Sequence, residues 1–160
     1  MLVSRSGLVT VTGGKWTTYR AMAEDVLEKC FEAHLLPRGA TGVTANLKLV
    51  GSPEQREATT PLSAAPGPHL YGSEADQVGA LSGHDRSLGG GLTAAMVRFA
   101  ARHEYARTVE DMLARRFRLL FLDARMAGEL AAEVGALLQE ETGVDPQPGA
   151  FRELAASYGK

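Results

Sequence analysis

Apolar and polar positions change period three times along the chain. Leu8-Val9-Thr10-Val11-Thr12 is a short β-branched run, which predicts a strand. After Gly13-Gly14 the period becomes helical. Met22, Val26, Cys30 and Ala33 follow one face with Leu27 and Phe31 beside them, while Glu24, Asp25, Glu28 and Glu32 fall mostly opposite. This predicts a helix from about 17 to 34, capped by Thr17 or Thr18 and ended by Pro37 and Gly39. From 39 to 68 the pattern dissolves. Leu47 and Leu49 alternate with Asn46 and Lys48, enough for one short strand, and Ser52 to Pro68 reads as a surface loop.

The second half reads as a helical bundle. Ser73 and Asp76 have capping-box spacing before Ala75, Val78 and Leu81. Residues 83–91 read as a loop, with Gly89-Gly90-Gly91 as a flexible turn and no strand or basic residue placed to make it a phosphate cradle. Thr93 caps a helix through about Glu104, with Met96, Val97, Ala100 and Ala101 facing inward. Thr108 and Asp111 form a second capping box before Val109, Met112, Leu113, Phe117 and Leu120. The last long helix spans 124–142 on Ala127, Leu130, Ala131, Val134, Leu137 and Leu138. Gly143 ends it, Pro146 and Pro148 prevent its continuation, and Phe151, Leu154, Ala155 and Tyr158 suit a short final helix.

The expected fold is therefore mainly α: a helical bundle over 17–160, with an irregular Pro/Gly-rich loop at about 39–70. A terminal strand and glycine turn over 1–16 precede it. With 160 residues and 44% apolar content, one domain with a sizeable core is affordable. A net charge of −2 gives no general attraction for polyanions, so nucleic acid is not an expected partner. Cys30 is the single cysteine, which excludes an internal disulfide and any Cys-rich zinc site. Its core-facing position reads as packing. His34, His69, His84 and His103 are scattered without ligand spacing, so no metal is expected, and His69 at the loop's edge reads as solvated.

The chemistry-bearing stretch is the strand, glycine turn and helix start. Glycines let the backbone turn tightly and leave no Cβ to hold a ligand away. The first N–H groups of a helix lack internal partners and carry partial positive charge, which suits an anion or an electron-rich carbonyl. Lys15 adds a full charge there. The spacing matches neither Gly-x-x-x-x-Gly-Lys-Ser/Thr nor Gly-x-Gly-x-x-Gly, so locally the turn is open between a cofactor wall and a plain βα connection. Trp16 can pack where strand meets helix, or lie with its ring or backbone against a cofactor.

Two charged groups compete with that turn. Arg102, His103, Glu104, Arg107, Glu110 and Asp111 combine acid, base and guanidinium, and read as a structural network joining helix ends. Arg115, Arg116 and Arg118 form the dense basic patch. Nearby Glu110, Asp111 and Asp123 favour ion pairing over nucleic-acid binding.

The string Gly-Leu-Val-Thr-Val-Thr-Gly-Gly-Lys-Trp-Thr-Thr-Tyr-Arg-Ala-Met-Ala-Glu-Asp, residues 7–25, resembles a segment of the aerobic FAD-dependent glycerol-3-phosphate dehydrogenases. Residues 102–116 and Leu120-Phe121-Leu122-Asp123-Ala124 resemble the helical C-terminal domain of the same enzymes. The resemblance implies oxidation of sn-glycerol 3-phosphate to dihydroxyacetone phosphate, with electrons passing from FAD to a quinone. It implies that Gly14, Lys15, Trp16 and Thr17 border FAD, with Lys15 in a supporting catalytic role. The family's dinucleotide-binding glycine loop and much of its substrate pocket are not in this sequence. The chain is thus expected to be a catalytically silent C-terminal fragment, without FAD of its own, whose main partner is the absent N-terminal FAD and substrate domain. A homodimer is a further possible partner. The parent is expected in the cytoplasm, peripheral on the inner face of the cytoplasmic membrane. Dehydrogenase and oxygen-using oxidase stay unseparated. The competing reading is a helical interaction or dimerisation module without a catalytic role.

Overall fold

In the computed structural model, residues 2–39, 42–52, 60–61 and 64–159 are described. The chain divides into two compact units, 1–49 and 50–160.

In the first unit, β1 (Leu2–Val3) pairs antiparallel with β2 (Val9–Thr10), Val3 opposite Val9. The Gly13-Gly14 turn leads through a 3₁₀ turn, Trp16–Thr18, into α1 (Tyr19–Glu32). Cys30 is the one buried apolar side chain among this unit's described residues; Met22, Val26 and Phe31 are half-buried, and Leu27 is exposed. The short strand expected within 42–51 does not form. Among the described residues no neighbouring strand supplies its hydrogen bonds, and Val43, Leu47 and Leu49 stay exposed. Much of the loop expected over 52–68 lies outside the described residues.

The second unit holds the core. A 3₁₀ stretch, Pro68–Glu74, runs into α2 (Ala75–Gly79). The Ser73–Asp76 capping box is not made. Backbone coils already at Pro68, Gly72 takes a kink at φ 53°, and the Ser73 N–H donates instead to the Gly51 carbonyl at 3.0 Å. The glycine-rich loop expected over 83–91 carries a hairpin, β3 (Ser87–Gly89) against β4 (Leu92–Thr93). Its turn requires glycine at Gly91, where φ is 87° and a Cβ would overlap the Pro66 carbonyl.

Thr93 caps α3 (Ala94–His103), its hydroxyl accepting from the Met96 N–H at 3.3 Å. Thr108 and Asp111 form the expected reciprocal box. The Asp111 carboxylate accepts from Thr108 N–H at 3.0 Å, and the Thr108 hydroxyl accepts from Asp111 N–H at 3.1 Å. The helix that follows is not continuous to Leu120. It widens into a π turn over Asp111–Arg116, with Phe117 N–H donating to the Met112 carbonyl at 2.9 Å. Arg118 then takes a left-handed conformation, and α4 (Leu119–Leu122) starts anew. Met112, Leu113, Leu119 and Leu120 are buried on both sides of this break. Asp123 caps α5 (Ala124–Thr142), and Gly143, at φ 68°, ends it. α6 (Pro148–Tyr158) packs back along α5 on Phe151 and Ala155. The centre of the core is Phe99 on α3, edge-on to Tyr71 at 5.2 Å and packed with Val97, Val134 and Leu138 in one buried cluster. The architecture is mainly α.

Candidate functional site

Gly14, Lys15, Trp16 and Thr17 are consecutive, so the chain itself brings them together. All four are exposed. Gly13 and Gly14 take φ of 80° and 107°, conformations that let β2 turn sharply into the 3₁₀ turn. No atom stands within 4 Å of where a Gly13 Cβ would be, whereas a Cβ on Gly14 would press on the Met22 thioether. Thr18 locks the turn from behind. Its hydroxyl accepts from Lys15 N–H at 3.3 Å and donates to the Lys15 carbonyl at 3.0 Å, and its own N–H donates to that carbonyl at 2.9 Å. Thr18 therefore closes the turn backward and does not cap α1 forward.

Among the described residues, no hydrogen bond occupies the N–H groups of Trp16 and Thr17. These donors stand at the N-terminal, positive end of α1, directly after the exposed Lys15. The Trp16 ring is 87% exposed and stacks on Tyr19 at 5.5 Å. It does not fill the junction of strand and helix; it presents a flat aromatic face. The turn thus offers backbone donors, a cation and an aromatic surface at one open place, which suits a planar, electron-rich group.

The charged cluster of the second unit is differently built from its sequence grouping. Arg102 grips Glu141 of α5 through two bonds, Nε to Oε2 at 2.6 Å and Nη2 to Oε1 at 2.9 Å. Arg98 also pairs with Glu141, and with Glu140 at 2.9 Å. Arg102's hydrogen bonds hold the Glu141 carboxyl below the usual range; burial opposes this and Arg98 adds to it. Arg115 pairs with Glu110 at 2.7 Å and Asp111 at 2.9 Å. Glu141 was missed as a hub. The readable signal was Arg98 and Arg102 at i,i+4, two guanidiniums on one face needing a shared acceptor.

A cleft of about 510 Å³ opens over Tyr71, Glu104, Met112, Arg116 and Phe117. Burial, then the Glu104 charge, pushes the Tyr71 phenol up; burial raises the Glu104 carboxyl against the pull of Arg116. Arg116, at the wall of the cleft, donates to the backbone carbonyls of Glu104 and Asp111, so its guanidinium ties helix ends together. His69 is half-buried, not solvated, with Nε2 sealed and unpaired among the described residues. No group of metal-ligating side chains occurs among the described residues.

Fold and turn together define a mainly α domain preceded by a βα turn open to an anionic or carbonyl-bearing group. Residues 42–148 match the family model for the C-terminal domain of alpha-glycerophosphate oxidase, and the chain belongs to that family. It is 35% identical to the mitochondrial glycerol-3-phosphate dehydrogenase SDP6 of Arabidopsis thaliana, covering 84% of this chain and 26% of that protein. Against mitochondrial glycerol-3-phosphate dehydrogenase of Schizosaccharomyces pombe the identity is 32%, over 89% of this chain and 28% of the relative. A probable mitochondrial glycerol-3-phosphate dehydrogenase of Dictyostelium discoideum is 36% identical over 76% of this chain and 21% of its own length. The chain spans about a quarter of the length of these curated relatives. No solved structure matches it. The family match covers most of the helical unit, and Gly14–Thr17 lie outside it. No helix among the described residues is long and apolar enough to cross a membrane.

Proposed function

We propose that this chain is the C-terminal part of a flavoenzyme that oxidises sn-glycerol 3-phosphate to dihydroxyacetone phosphate and passes electrons through FAD to a quinone. The carrying observation is the open turn: unoccupied N–H groups at Trp16 and Thr17, with Lys15 alongside, on a helix start that faces solvent. The residues fit a flavin ring. A planar group can approach Gly13 and Gly14 without meeting a Cβ, and the donors suit a ring carbonyl. FAD, when bound, supplies the hydride acceptor.

The chain's own contribution is electrostatic. The Trp16 and Thr17 N–H groups donate to the carbonyl edge where negative charge grows, and they are already oriented, so little reorganisation is needed as it grows. The Lys15 ammonium adds to that field or meets the substrate's oxygens. Its role is supporting, because the other substrate-contacting groups belong to upstream polypeptide. The 160-residue chain alone is then silent and colourless. The intact enzyme attaches to its membrane peripherally, on the inner face of the cytoplasmic membrane; the mitochondrial names belong to the relatives and fix no compartment for this chain.

The test is Lys15→Ala in the full-length enzyme. Flavin absorbance per protein or turnover with glycerol 3-phosphate is expected to drop about tenfold or more, the scale of one lost electrostatic contact near developing charge. Unchanged occupancy and unchanged kinetics would remove Lys15 from the site. A yellow preparation of the 160-residue chain would overturn the division of labour.

A further inference from the structure

We propose that Thr18 is a positioning residue: its hydroxyl clamps the two peptides on either side of Lys15 and so aims the Trp16 N–H out of the turn. This role presupposes that the turn is one wall of a flavin site. Thr17 and Thr18 look alike in the sequence, and the structure separates them. Among the described residues only the hydroxyl of Thr18 is hydrogen-bonded. It accepts from the Lys15 N–H at 3.3 Å and donates to the Lys15 carbonyl at 3.0 Å. A hydroxyl carries one donor and two acceptor sites, so it does both at once.

Peptide planarity carries the effect forward. The Lys15 carbonyl and the Trp16 N–H belong to one trans peptide and point in opposite directions across it. Thr18 draws that carbonyl back toward α1 with its hydroxyl and with its own N–H, the latter at 2.9 Å. The Trp16 N–H is thereby turned to the opposite side, where no hydrogen bond among the described residues occupies it. The bond from the Lys15 N–H fixes the preceding peptide as well, so Lys15 is held extended at φ −109° and ψ 152°.

The segment needs such a clamp. Gly13 and Gly14 carry no Cβ and sit at positive φ, and residues 11–18 are all exposed. Met22, one helical turn beyond Thr18, supplies a second support, its thioether filling the space that a Gly14 Cβ would need. Donors already oriented stabilise growing charge without reorganising, whereas donors on a loose glycine segment must first be ordered. Thr18 stands behind the turn and acts through the Trp16 N–H.

Two variants at this exposed position test the role. Thr18→Val keeps the branched shape and removes the hydroxyl, and Thr18→Ser keeps the hydroxyl. In the 160-residue chain, the Lys15 amide of Thr18→Val should exchange with water about fivefold faster by NMR, the scale of one lost hydrogen bond, and that of Thr18→Ser should stay close to the parent. In the full-length enzyme, Thr18→Val should slow flavin reduction by glycerol 3-phosphate about tenfold in anaerobic single turnovers, with the half-saturating substrate concentration little changed. Its two-electron flavin potential should fall by about 30 mV, the equivalent of a tenfold weaker hold on the reduced form. Thr18→Ser should restore both. Unchanged Lys15 exchange in Thr18→Val overturns the clamp independently of any flavin result. Faster exchange with unchanged reduction rate and potential overturns the positioning role. Lys15→Ala separates that failure from failure of the site: if it lowers occupancy or turnover while Thr18→Val changes neither rate nor potential, the flavin reading stands and the role of Thr18 alone falls.

Discussion

Glu141 shows how much of the helical unit's electrostatics depends on a single side chain. It joins α5 to Arg98 and Arg102 of α3, with its own side chain 9% exposed and that of Arg98 13%. Neutralising Glu141 leaves Arg98 with Glu140 as its one carboxylate, while Arg102, about half exposed, returns to solvent. Glu141→Gln should therefore lower stability by about 1–2 kcal/mol in urea unfolding. The sign of its pH dependence follows from the depressed folded value. The contribution is fully present above the ordinary glutamate value of 4.5 and is lost as pH falls through the lower folded value. The variant should show a shallower acid limb than the parent below about pH 4.5, checked by chemical unfolding across pH. At this scale the proposed flavin site was readable because its four residues are neighbours in the chain. Glu141 was not, because its partners are 39 and 43 residues away.

Elements are set by their ends. Asp111 accepts from the N–H groups of Thr108 and Arg107 and also holds Arg115, whereas Ser73 has the right spacing and no capping bond. Backbone hydrogen bonds decide between them. Ser73 follows the non-helical Gly72, its N–H is held by the Gly51 carbonyl, and its side chain makes no capping bond. Asp111→Ala should cost about 1–2 kcal/mol, while Ser73→Ala should stay within roughly 0.5 kcal/mol, both read as shifts in denaturation midpoint. The same logic covers the break at Phe117. A periodic pattern predicts a straight helix through Leu120, since seven-residue spacing sets Met112 with Leu119 and Leu113 with Leu120 on one helix face, yet the helix breaks between the two pairs and all four stay buried. The π turn and the left-handed Arg118 re-aim the chain between them.

The two compact units differ sharply in how much apolar surface each hides. The second buries Phe99, Leu92, Met96, Met112, Leu113 and many more, and the first only Cys30 among its described residues. Leu2, Leu8, Trp16 and Tyr19 stay exposed in the first unit. Local opening free energy follows burial. Amide hydrogen exchange should find α1 poorly protected, and α3 and α5 protected close to the global limit. In the intact enzyme, where upstream polypeptide is proposed to cover the turn, protection of α1 should rise. Equal protection of α1 and α3 in the isolated chain would show that the first unit is complete by itself.

Periodicity and end signals specified the helices of the second half closely: α5 over Ala124–Thr142, α6, and the Thr93 and Thr108–Asp111 caps. The glycine turn at Gly14, the proposed flavin site, is likewise a local feature of the sequence. All of these rest on residues within about one helical turn of each other, so local sequence carries them. What needed three dimensions was every feature made by segments distant in sequence. The β3–β4 hairpin turns at Gly91 because Pro66 lies against it. Glu141 becomes a hub because α3 crosses α5. No strand forms within 42–51, since among the described residues no second strand lies beside it to complete its hydrogen bonds.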